Sequence, residues 1–387
     1  MAHFVRPLVL AQALDPDRYE VHFHAPSRYL QYLRNRTFEV GELATMPGEQ
    51  FLANIARGAP LFPAKVLRGY VEQERRLFAQ IRPALVIGDL RLSLPVSAKL
   101  AALRHAVLVN AYWSPYARRR TLLPSIPVTR YISPTLLLPL FRRIEPMIYA
   151  IHVAPSNRVR KHYGMPALAP DIRAMYTDAD YVLYADVPEF APCYDLPGNH
   201  RYLGVCDWAA PAAKPEWWDE MQADPKPKIF VAMGSSGSLE VMPRLVRVLG
   251  DMQVSVLLAT SGRQVPSPGG STHVADLLPF VATARESRVV VCNGGSGSVY
   301  PAIAAGTPVL GIPANADQQL STALLEESGA GLGVRIENAS EKNLRAALDQ
   351  LLLEPRYGAR AREWSAVFRR YDAPSRFREF VAEAAAS

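Results

Sequence analysis

The sequence predicts an α/β protein with two doubly wound halves, each built around a largely parallel sheet. In the first half of the 387-residue chain, short apolar runs alternate with longer helix-like segments. The same alternation starts again after residue 227, and a proline-dense stretch separates the two series. Strands that alternate with helices imply crossover connections, which pair strands in parallel.

The first half contains several elements that can be predicted from apolar periodicity. We expect strands over 19–24, 84–87 and 106–109, and helices over 6–14, 62–81, 136–143 and 146–163. The region 110–147, rich in proline and arginine, favours long loops around those last helices.

The beginning of the chain departs from the usual order, because a doubly wound half starts with a strand, then a turn, then a helix. Here Met1, Ala2 and His3 already stand where the turn belongs. We favour a start codon assigned too far downstream, the alternatives being a shortened chain or a sheet without that strand. In the last case a central sheet edge is left unpaired.

The second half repeats the βα alternation. We expect strands over 228–233, 254–258, 289–291 and 308–312, and helices over 239–249, 340–353 and 355–386. The predicted organisation is therefore a first domain over 1–205, a proline-rich linker over 206–227, a second domain over 228–365 and a last helix over 366–387 that crosses back to the first domain.

The most informative segment is a strand followed by a glycine-rich turn. The run 289–291 leads into Asn293, Gly294, Gly295, Ser296, Gly297 and Ser298, and then into an apolar helix-like stretch. Glycines let a backbone approach an anion closely, and the N–H groups at a helix N-terminus point at it. The segment predicts a phosphate cradle, although such turns also occur for packing reasons alone.

The surrounding pattern resembles the donor signature of family 1 glycosyltransferases, the inverting GT-B enzymes. That signature runs His-x-Gly-x-x-Ser/Thr-x-x-Glu, then Gly-x-Pro, then Pro and Asp-Gln. The residues that match it are Gly295, Ser298, Gly306, Pro308, Pro313, Asp317 and Gln318. The resemblance implies two Rossmann-like domains that face each other across a cleft, with the second domain binding a nucleotide-diphosphate sugar.

Two positions depart from this signature. Asn293 replaces a histidine that contacts the donor diphosphate in most members, and asparagine never carries a positive charge. Pro301 replaces a glutamate that holds the ribose hydroxyls, and proline offers no acceptor. We therefore expect the diphosphate cradle to be retained, with UDP or dTDP as the favoured carrier and a deoxyribose donor made more plausible.

The resemblance also implies site residues. His3 matches the family's base in the first turn, and Asp89 matches the aspartate that follows a later strand. A histidine suits this task because its ordinary pKa is near 6.5 and a carboxylate can orient it. The alternatives are a disordered terminal residue for His3 and a strand-end turn residue for Asp89.

The remaining predicted contacts concern the two substrates. Gly234, Ser235, Ser236 and Gly237 form a second glycine-rich turn, which with the Asn293–Ser298 turn would neutralise the departing diphosphate by backbone N–H groups rather than by a metal. Asp317 and Gln318 would contact the donor sugar, with Asp317 as a helix N-cap the other interpretation. Tyr112 and Trp113 are a plausible acceptor wall, or loop residues that close the local core.

Composition narrows the partners. The net charge of +7 suits an anionic ligand, and no nucleic-acid-binding motif is present. Three widely spaced cysteines fit a reducing cytoplasm, and no metal cofactor is expected; the pair Asp178 and Asp180 is a weak metal motif. Apolar residues over 135–141 beside arginines are consistent with a lipid-type acceptor and peripheral membrane contact.

Three other readings stay open. Asn293, Pro301 and the missing strand are compatible with an inactive homologue that acts as a binding or partner protein. A nucleotide-sugar 2-epimerase would need additional acidic residues beside the sugar, and none is identified. A nucleic-acid-binding protein rests on the basic charge alone.

Overall fold

The computed structural model describes residues 2–33, 38–118, 120–121, 123–125, 129, 131–132, 134–206, 212–234, 237–266 and 269–386. The chain divides into two compact units. Unit 1 comprises residues 1–119, 140–208 and 371–387, and unit 2 comprises residues 120–139 and 209–370.

Unit 1 contains two parallel sheets. Its strands are β1 (His22–Ala25), β2 (Glu39–Glu42), β3 (Leu85–Asp89), β4 (Arg104–Val109), β5 (Tyr181–Tyr184) and β6 (His200–Tyr202). One sheet pairs β1 with β2, and the other has the order β3-β4-β5-β6. In the part of the chain that the structure describes, β1 and β3 belong to separate sheets.

The helices of unit 1 cover these sheets. They are α1 (Ala2–Ala11), α2 (Gly48–Ala56), α3 (Ala64–Ile81), α4 (Leu94–Leu100), α5 (Pro134–His162, which begins in unit 2), α6 (Ile172–Tyr176) and α14 (Ala373–Ala386). The last of these, α14, buries Phe377 and Phe380 in one apolar cluster with Leu10 of α1 and Leu183 of β5. The end of the chain is thus part of the core of unit 1.

Unit 2 has a single parallel sheet of six strands in the order β12-β11-β10-β7-β8-β9. These strands are β7 (Lys228–Ala232), β8 (Ser255–Ala259), β9 (Thr272–Ala275), β10 (Val289–Cys292), β11 (Val309–Gly311) and β12 (Gly331–Gly333). Its helices are α7 (Trp218–Ala223), α8 (Met242–Gly250), α9 (Phe280–Glu286), α10 (Ser296–Ala304), α11 (Ala316–Ser328), α12 (Glu341–Leu353) and α13 (Pro355–Phe368).

Helices lie on both faces of this sheet, as alternating side chains of β7 show. Ile229 and Val231 join the cluster that contains Leu245 of α8 and Leu348 of α12. Phe230 points to the other face and meets the ring of Phe280 of α9 at 5.0 Å. Strands buried on both faces explain the continuous apolar runs in the sequence.

One prediction about the middle of the chain was wrong. The residues over 136–162 lie in one helix, α5, instead of two. Pro139 and Pro146 each remove one backbone hydrogen bond, but the helix continues through both. The predicted linker over 206–227 contains α7, since Trp218 and Met221 are fully buried and anchor that segment. Residues 207–211 of the same stretch lie outside the described residues.

Candidate functional site

His3 and Asp89 come together in unit 1. The ring nitrogen Nδ1 of His3 lies 2.6 Å from Oδ1 of Asp89. His3 stands in the first turn of α1, and Asp89 is the last residue of β3, so the carboxyl end of that strand presents its side chain to the helix. The Asp89 side chain is 1% exposed and that of His3 is 51% exposed. With Nδ1 held by the carboxylate, Nε2 is the nitrogen that remains available for proton transfer.

Arg6 completes this pair, and the sequence reasoning missed it. Its guanidinium binds Asp89 with two hydrogen bonds, from Nε to Oδ2 at 2.8 Å and from Nη2 to Oδ1 at 2.7 Å. A third bond runs from Nη1 to Oδ1 of Asn110 at 2.6 Å. The signal was present in the sequence, because residues three apart on a helix share a face, and His3 and Arg6 have that spacing.

The contacts of Asp89 determine its charge. Burial alone would raise the pKa of Asp89, but the Arg6 guanidinium and the His3 ring together hold it below its ordinary value. The carboxylate is therefore ionised throughout the neutral range and can keep orienting the imidazole. Since Asp89 accepts bonds from both partners, Arg6 also fixes the position from which Asp89 holds His3.

Asn110 links this cluster to a second buried carboxylate. Its Nδ2 group donates to both carboxylate oxygens of Asp186, at 3.2 and 3.3 Å, and Asp186 also accepts from the backbone N–H of Ala111 at 2.7 Å. Asp186 is completely buried. The residues just before the predicted acceptor wall are thus held rigidly at the end of β4.

The predicted acceptor residues lie mostly inside unit 1. Tyr112 is 8% exposed, and the ring of Trp113 packs edge-on against that of Tyr176 at 5.4 Å. This burial favours the role of closing the local core. Contact between an acceptor and either ring stays a prediction.

In unit 2, two glycine-rich turns meet at the switch point of the sheet. Strands β7 and β10 are neighbours, and the chain leaves them towards opposite edges, β8 beside β7 and β11 beside β10. In open α/β sheets, ligands bind beyond the carboxyl ends of the strands at such a point. The turn at Gly234 follows β7 and the turn at Gly294 follows β10, so both lie where a ligand is expected. Ser235 and Ser236, predicted to bind the diphosphate, lie outside the described residues.

The turn after β10 has the predicted strand–turn–helix geometry. Gly294 has φ +76°, a left-handed conformation that favours glycine, and a Cβ there would lie 2.2 Å from Oγ1 of Thr322. Helix α10 then begins at Ser296. Its N-terminus carries the positive end of the helix dipole, which suits an anion.

The side chain of Asn293 stabilises this turn. It is 6% exposed, and its Oδ1 atom accepts the backbone N–H of Gly295 at 3.1 Å. The side chain thereby shapes the turn that leads into α10. Gly295, Gly297 and Ser298 keep their predicted place at the start of that helix, and their contact with a diphosphate stays a prediction.

Asp317 and Gln318 lie in the first turn of α11 but differ in exposure. Asp317 is exposed, whereas Gln318 is 2% exposed and its Oε1 accepts the backbone N–H of Ala314 at 2.9 Å. The alternative role of Asp317 as N-cap is wrong, because Asn315 caps α11 by accepting the N–H of Gln318 at 3.0 Å. Asp317 is thus the better placed of the two for a sugar hydroxyl.

The weak metal motif has other partners. Asp178 accepts a hydrogen bond from Nη1 of Arg160 at 2.5 Å, and Asp180 accepts the backbone N–H of His105 at 2.9 Å. The described ranges contain no group of three or more histidine, cysteine, aspartate or glutamate side chains suited to a metal ion. Across the same residues, no helix combines the length and apolar character needed to cross a bilayer.

Known proteins resemble the chain along almost its whole length. Residues 239–370 match the family model of the erythromycin biosynthesis protein CIII-like C-terminal domain. A PGL/p-HBAD biosynthesis glycosyltransferase of Mycobacterium tuberculosis (strain ATCC 25177 / H37Ra) is 41% identical over 95% of this chain and 86% of its own length. A PGL/p-HBAD biosynthesis rhamnosyltransferase of Mycobacterium bovis (strain BCG / Pasteur 1173P2) is also 41% identical, over 92% of this chain and 79% of its own.

A further relative bears on activity. An inactive PGL/p-HBAD biosynthesis glycosyltransferase of the same M. bovis strain is 37% identical over 84% of this chain and 87% of its own. Among solved structures, the spinosyn forosaminyltransferase SpnP superposes with a TM-score of 0.71 at 17% identity, covering 100% of this chain and 96% of its own. The spinosyn rhamnosyltransferase SpnG complexed with thymidine diphosphate has a TM-score of 0.69 at 16% identity, covering 98% of this chain and 97% of its own.

Proposed function

The chain belongs to the GT-B glycosyltransferases, in the family of the mycobacterial PGL/p-HBAD biosynthesis glycosyltransferases, and we propose that it is an inverting enzyme that needs no metal. Its donor is a nucleotide-diphosphate sugar, and its acceptor is a small-molecule or lipid-type hydroxyl compound. The observation that carries the proposal is the 2.6 Å contact between His3 and Asp89, with the imidazole half-exposed.

The proposed reaction is a single displacement. Nε2 of His3 takes the proton of the acceptor hydroxyl while that oxygen forms a bond to the anomeric carbon. The bond from this carbon to the diphosphate oxygen breaks on the opposite face, so the configuration inverts. Asp89 holds Nδ1–H and stabilises the imidazolium that forms, and Arg6 keeps Asp89 in place.

The leaving diphosphate takes the electron pair of the broken bond and gains negative charge. We place it at the N-terminus of α10 and at the turn after β7, where backbone N–H groups and the helix dipole stabilise an anion without reorganisation. Asp317, exposed in the first turn of α11, is the proposed partner of the sugar hydroxyls.

The favoured carriers are dTDP and UDP. Pro301 lies within α10 and offers no acceptor to a ribose hydroxyl, which removes one reason to prefer a ribonucleotide. The solved SpnG complex contains thymidine diphosphate, and that rhamnosyltransferase shares the fold. These two observations support dTDP slightly over UDP.

A lipid-type acceptor is supported by one face of α5. Four side chains with a spacing of four, three and four residues are exposed there: Leu140, Ile144, Met147 and Ile151. Arg142 and Arg143 beside them are also exposed. An apolar stripe flanked by cations fits the surface of an anionic bilayer, and cosedimentation with vesicles of anionic and neutral lipid tests this contact. A double Leu140→Ser and Met147→Ser variant that sediments as well as the parent protein would remove the membrane from the proposal.

The second candidate function is a binding protein without catalysis. The inactive relative at 37% identity motivates it, as do Asn293 and Pro301. The assembled pair of His3 and Asp89 supports the active enzyme instead.

Thermal unfolding with UDP, dTDP, GDP and ADP, with and without magnesium, tests the donor module. A ligand present at a hundred times its dissociation constant adds about 2.7 kcal/mol of apparent stability. We expect a metal-independent shift with dTDP or UDP. The absence of a shift with all four would overturn the proposed donor site.

A further inference from the structure

Arg263 is a partly buried cation beside the turn that follows β7. It lies in the loop after β8, which is the strand next to β7. Its Nη1 donates to the carbonyl oxygen of Gly237 at 2.9 Å, and its Nη2 donates to the carbonyl oxygen of Gly234. One guanidinium therefore binds the carbonyl oxygens of both Gly234 and Gly237, next to the proposed diphosphate site.

The charge of Arg263 has no acidic counterpart in the part of the chain that the structure describes. None of the ion pairs found there includes Arg263, and its Nε atom is buried without a hydrogen-bond partner. Burial lowers the pKa of Arg263. A cation removed from water without a carboxylate is costly unless an anion is supplied from elsewhere.

The position of Arg263 favours the donor diphosphate as this anion. A Cβ on Gly237 would lie 3.1 Å from Cβ of Asn293, and one on Gly234 would lie 3.6 Å from its Nδ2. The turn thus lies between Arg263 on one side and Asn293, ahead of α10, on the other. In a trans peptide the N–H points away from the carbonyl, so the N–H of Ser238 points away from the guanidinium that binds Gly237.

We propose that Arg263 is the fixed cation of the donor site: it holds the carbonyl groups of Gly234 and Gly237 in place and supplies the positive charge for the diphosphate that Asn293 lacks. The inference rests on the proposed function, because it assigns a residue to that donor site. Arg263 acts as a positioning residue, through the turn and through its electrostatic potential.

The test compares three variants of the full chain by titration calorimetry with UDP, dTDP and the nucleosides uridine and thymidine. Arg263→Gln removes the charge and Arg263→Lys keeps the charge but loses the two-pronged geometry. Arg244→Gln is the matched control, since Arg244 also donates to a backbone carbonyl of unit 2, that of Ala339 at 2.9 Å.

We expect Arg263→Gln to weaken diphosphate binding about 10- to 100-fold, the range of the attraction between separated opposite charges near a protein surface, and to leave nucleoside binding nearly unchanged. It should also reduce the salt dependence of diphosphate binding. Arg263→Lys should weaken diphosphate binding less than Arg263→Gln does, and Arg244→Gln should leave it unchanged.

If Arg263→Gln weakened the binding of nucleoside diphosphate and of nucleoside equally, the proposal would be overturned, because an arginine that only maintains the local structure affects the affinity for both ligands. If Arg263→Gln does not fold, the comparison of diphosphate with nucleoside in Arg263→Lys decides the question. Failure of the parent protein to bind any diphosphate would contradict the proposed function itself. Tight binding by the parent together with unchanged binding by Arg263→Gln would contradict the role of Arg263 alone.

Discussion

The two candidate regions of this molecule are built from different parts of the chain. In unit 1 the cluster of His3, Arg6 and Asp89 consists of side chains joined by short hydrogen bonds to the carboxylate of Asp89. In unit 2 the turns at Gly234 and Gly294 consist of backbone, shaped by glycines with positive φ. The first arrangement suits proton transfer and the second suits anion binding. We therefore expect substitutions in the first to lower turnover and substitutions in the second to weaken donor binding.

The largest expected effect is that of His3→Gln on turnover. Glutamine can still contact Asp89 but cannot accept the acceptor proton, so kcat should fall about 100- to 10,000-fold. Donor affinity, measured by calorimetry, should not change. His22→Gln is the control, since His22 is also a histidine of unit 1 that contacts a carboxylate, that of Glu20 at 2.9 Å. Turnover of the His3 variant at the level of the control would remove His3 from the mechanism.

Asp89→Asn should act on stability as well as on catalysis. It leaves the Arg6 guanidinium, 11% exposed, without its carboxylate, and breaking a buried pair costs roughly 3–5 kcal/mol. Urea unfolding at neutral pH measures this loss.

The pH dependence of that loss has a definite sign. The folded pKa of Asp89 is depressed, so its stabilising contribution is complete above the ordinary value of 3.8 and disappears as the pH falls through the lower folded value. The difference in unfolding free energy between the parent protein and Asp89→Asn should therefore narrow below pH 3.8. A difference that stays constant into strong acid would show that the ion pair with Arg6 is not its source.

Gly294→Ala tests the backbone region. The residue has φ +76°, and the added methyl would meet Oγ1 of the buried Thr322, so strain of roughly 1–3 kcal/mol is expected together with weaker donor binding. Gly270→Ala is the control, because Gly270 also has positive φ but open space around it. If Gly294→Ala and Gly270→Ala lowered the free energy of unfolding equally, the close approach to Thr322 would not be the source of the strain.

The smallest expected effect concerns Asp317. Asp317→Ala should weaken binding of the sugar nucleotide about 2- to 10-fold while leaving the bare nucleotide diphosphate unchanged, since one exposed hydrogen bond is removed. Glu341→Ala, which removes an acid from the first turn of α12, is the control. The same loss for both ligands would contradict a contact between Asp317 and the sugar.

Local patterns predicted much of what the structure shows. The strand, glycine turn and helix around Gly294 were predicted because each element has its own periodicity and turn chemistry. Asp89 could be singled out because it ends a short apolar run, and parallel strands end at one edge of a sheet. The contact with His3 then followed from the resemblance to the family, which supplied a first-turn histidine.

Features that depend on tertiary packing escaped prediction. Arg6 and Asn110 are 104 residues apart, and no local pattern indicates that they bond. The prolines in α5 argued for a break, yet the helix continues through them. Asn315 rather than Asp317 caps α11, and both residue types cap helices well, so the sequence alone left that choice open.

The most direct test of the central claim, that the side-chain cluster and the backbone turns form a working glycosyltransferase, is an NMR experiment on the donor. The full chain is incubated in chelator with α-linked dTDP- and UDP-sugars, and the anomeric proton signals are followed over time. We predict loss of the donor signal and first appearance of the β-configured sugar, by slow hydrolysis or by transfer to an added phenol. A donor that binds in calorimetry but stays intact under these conditions would contradict the account and establish a binding protein without catalysis.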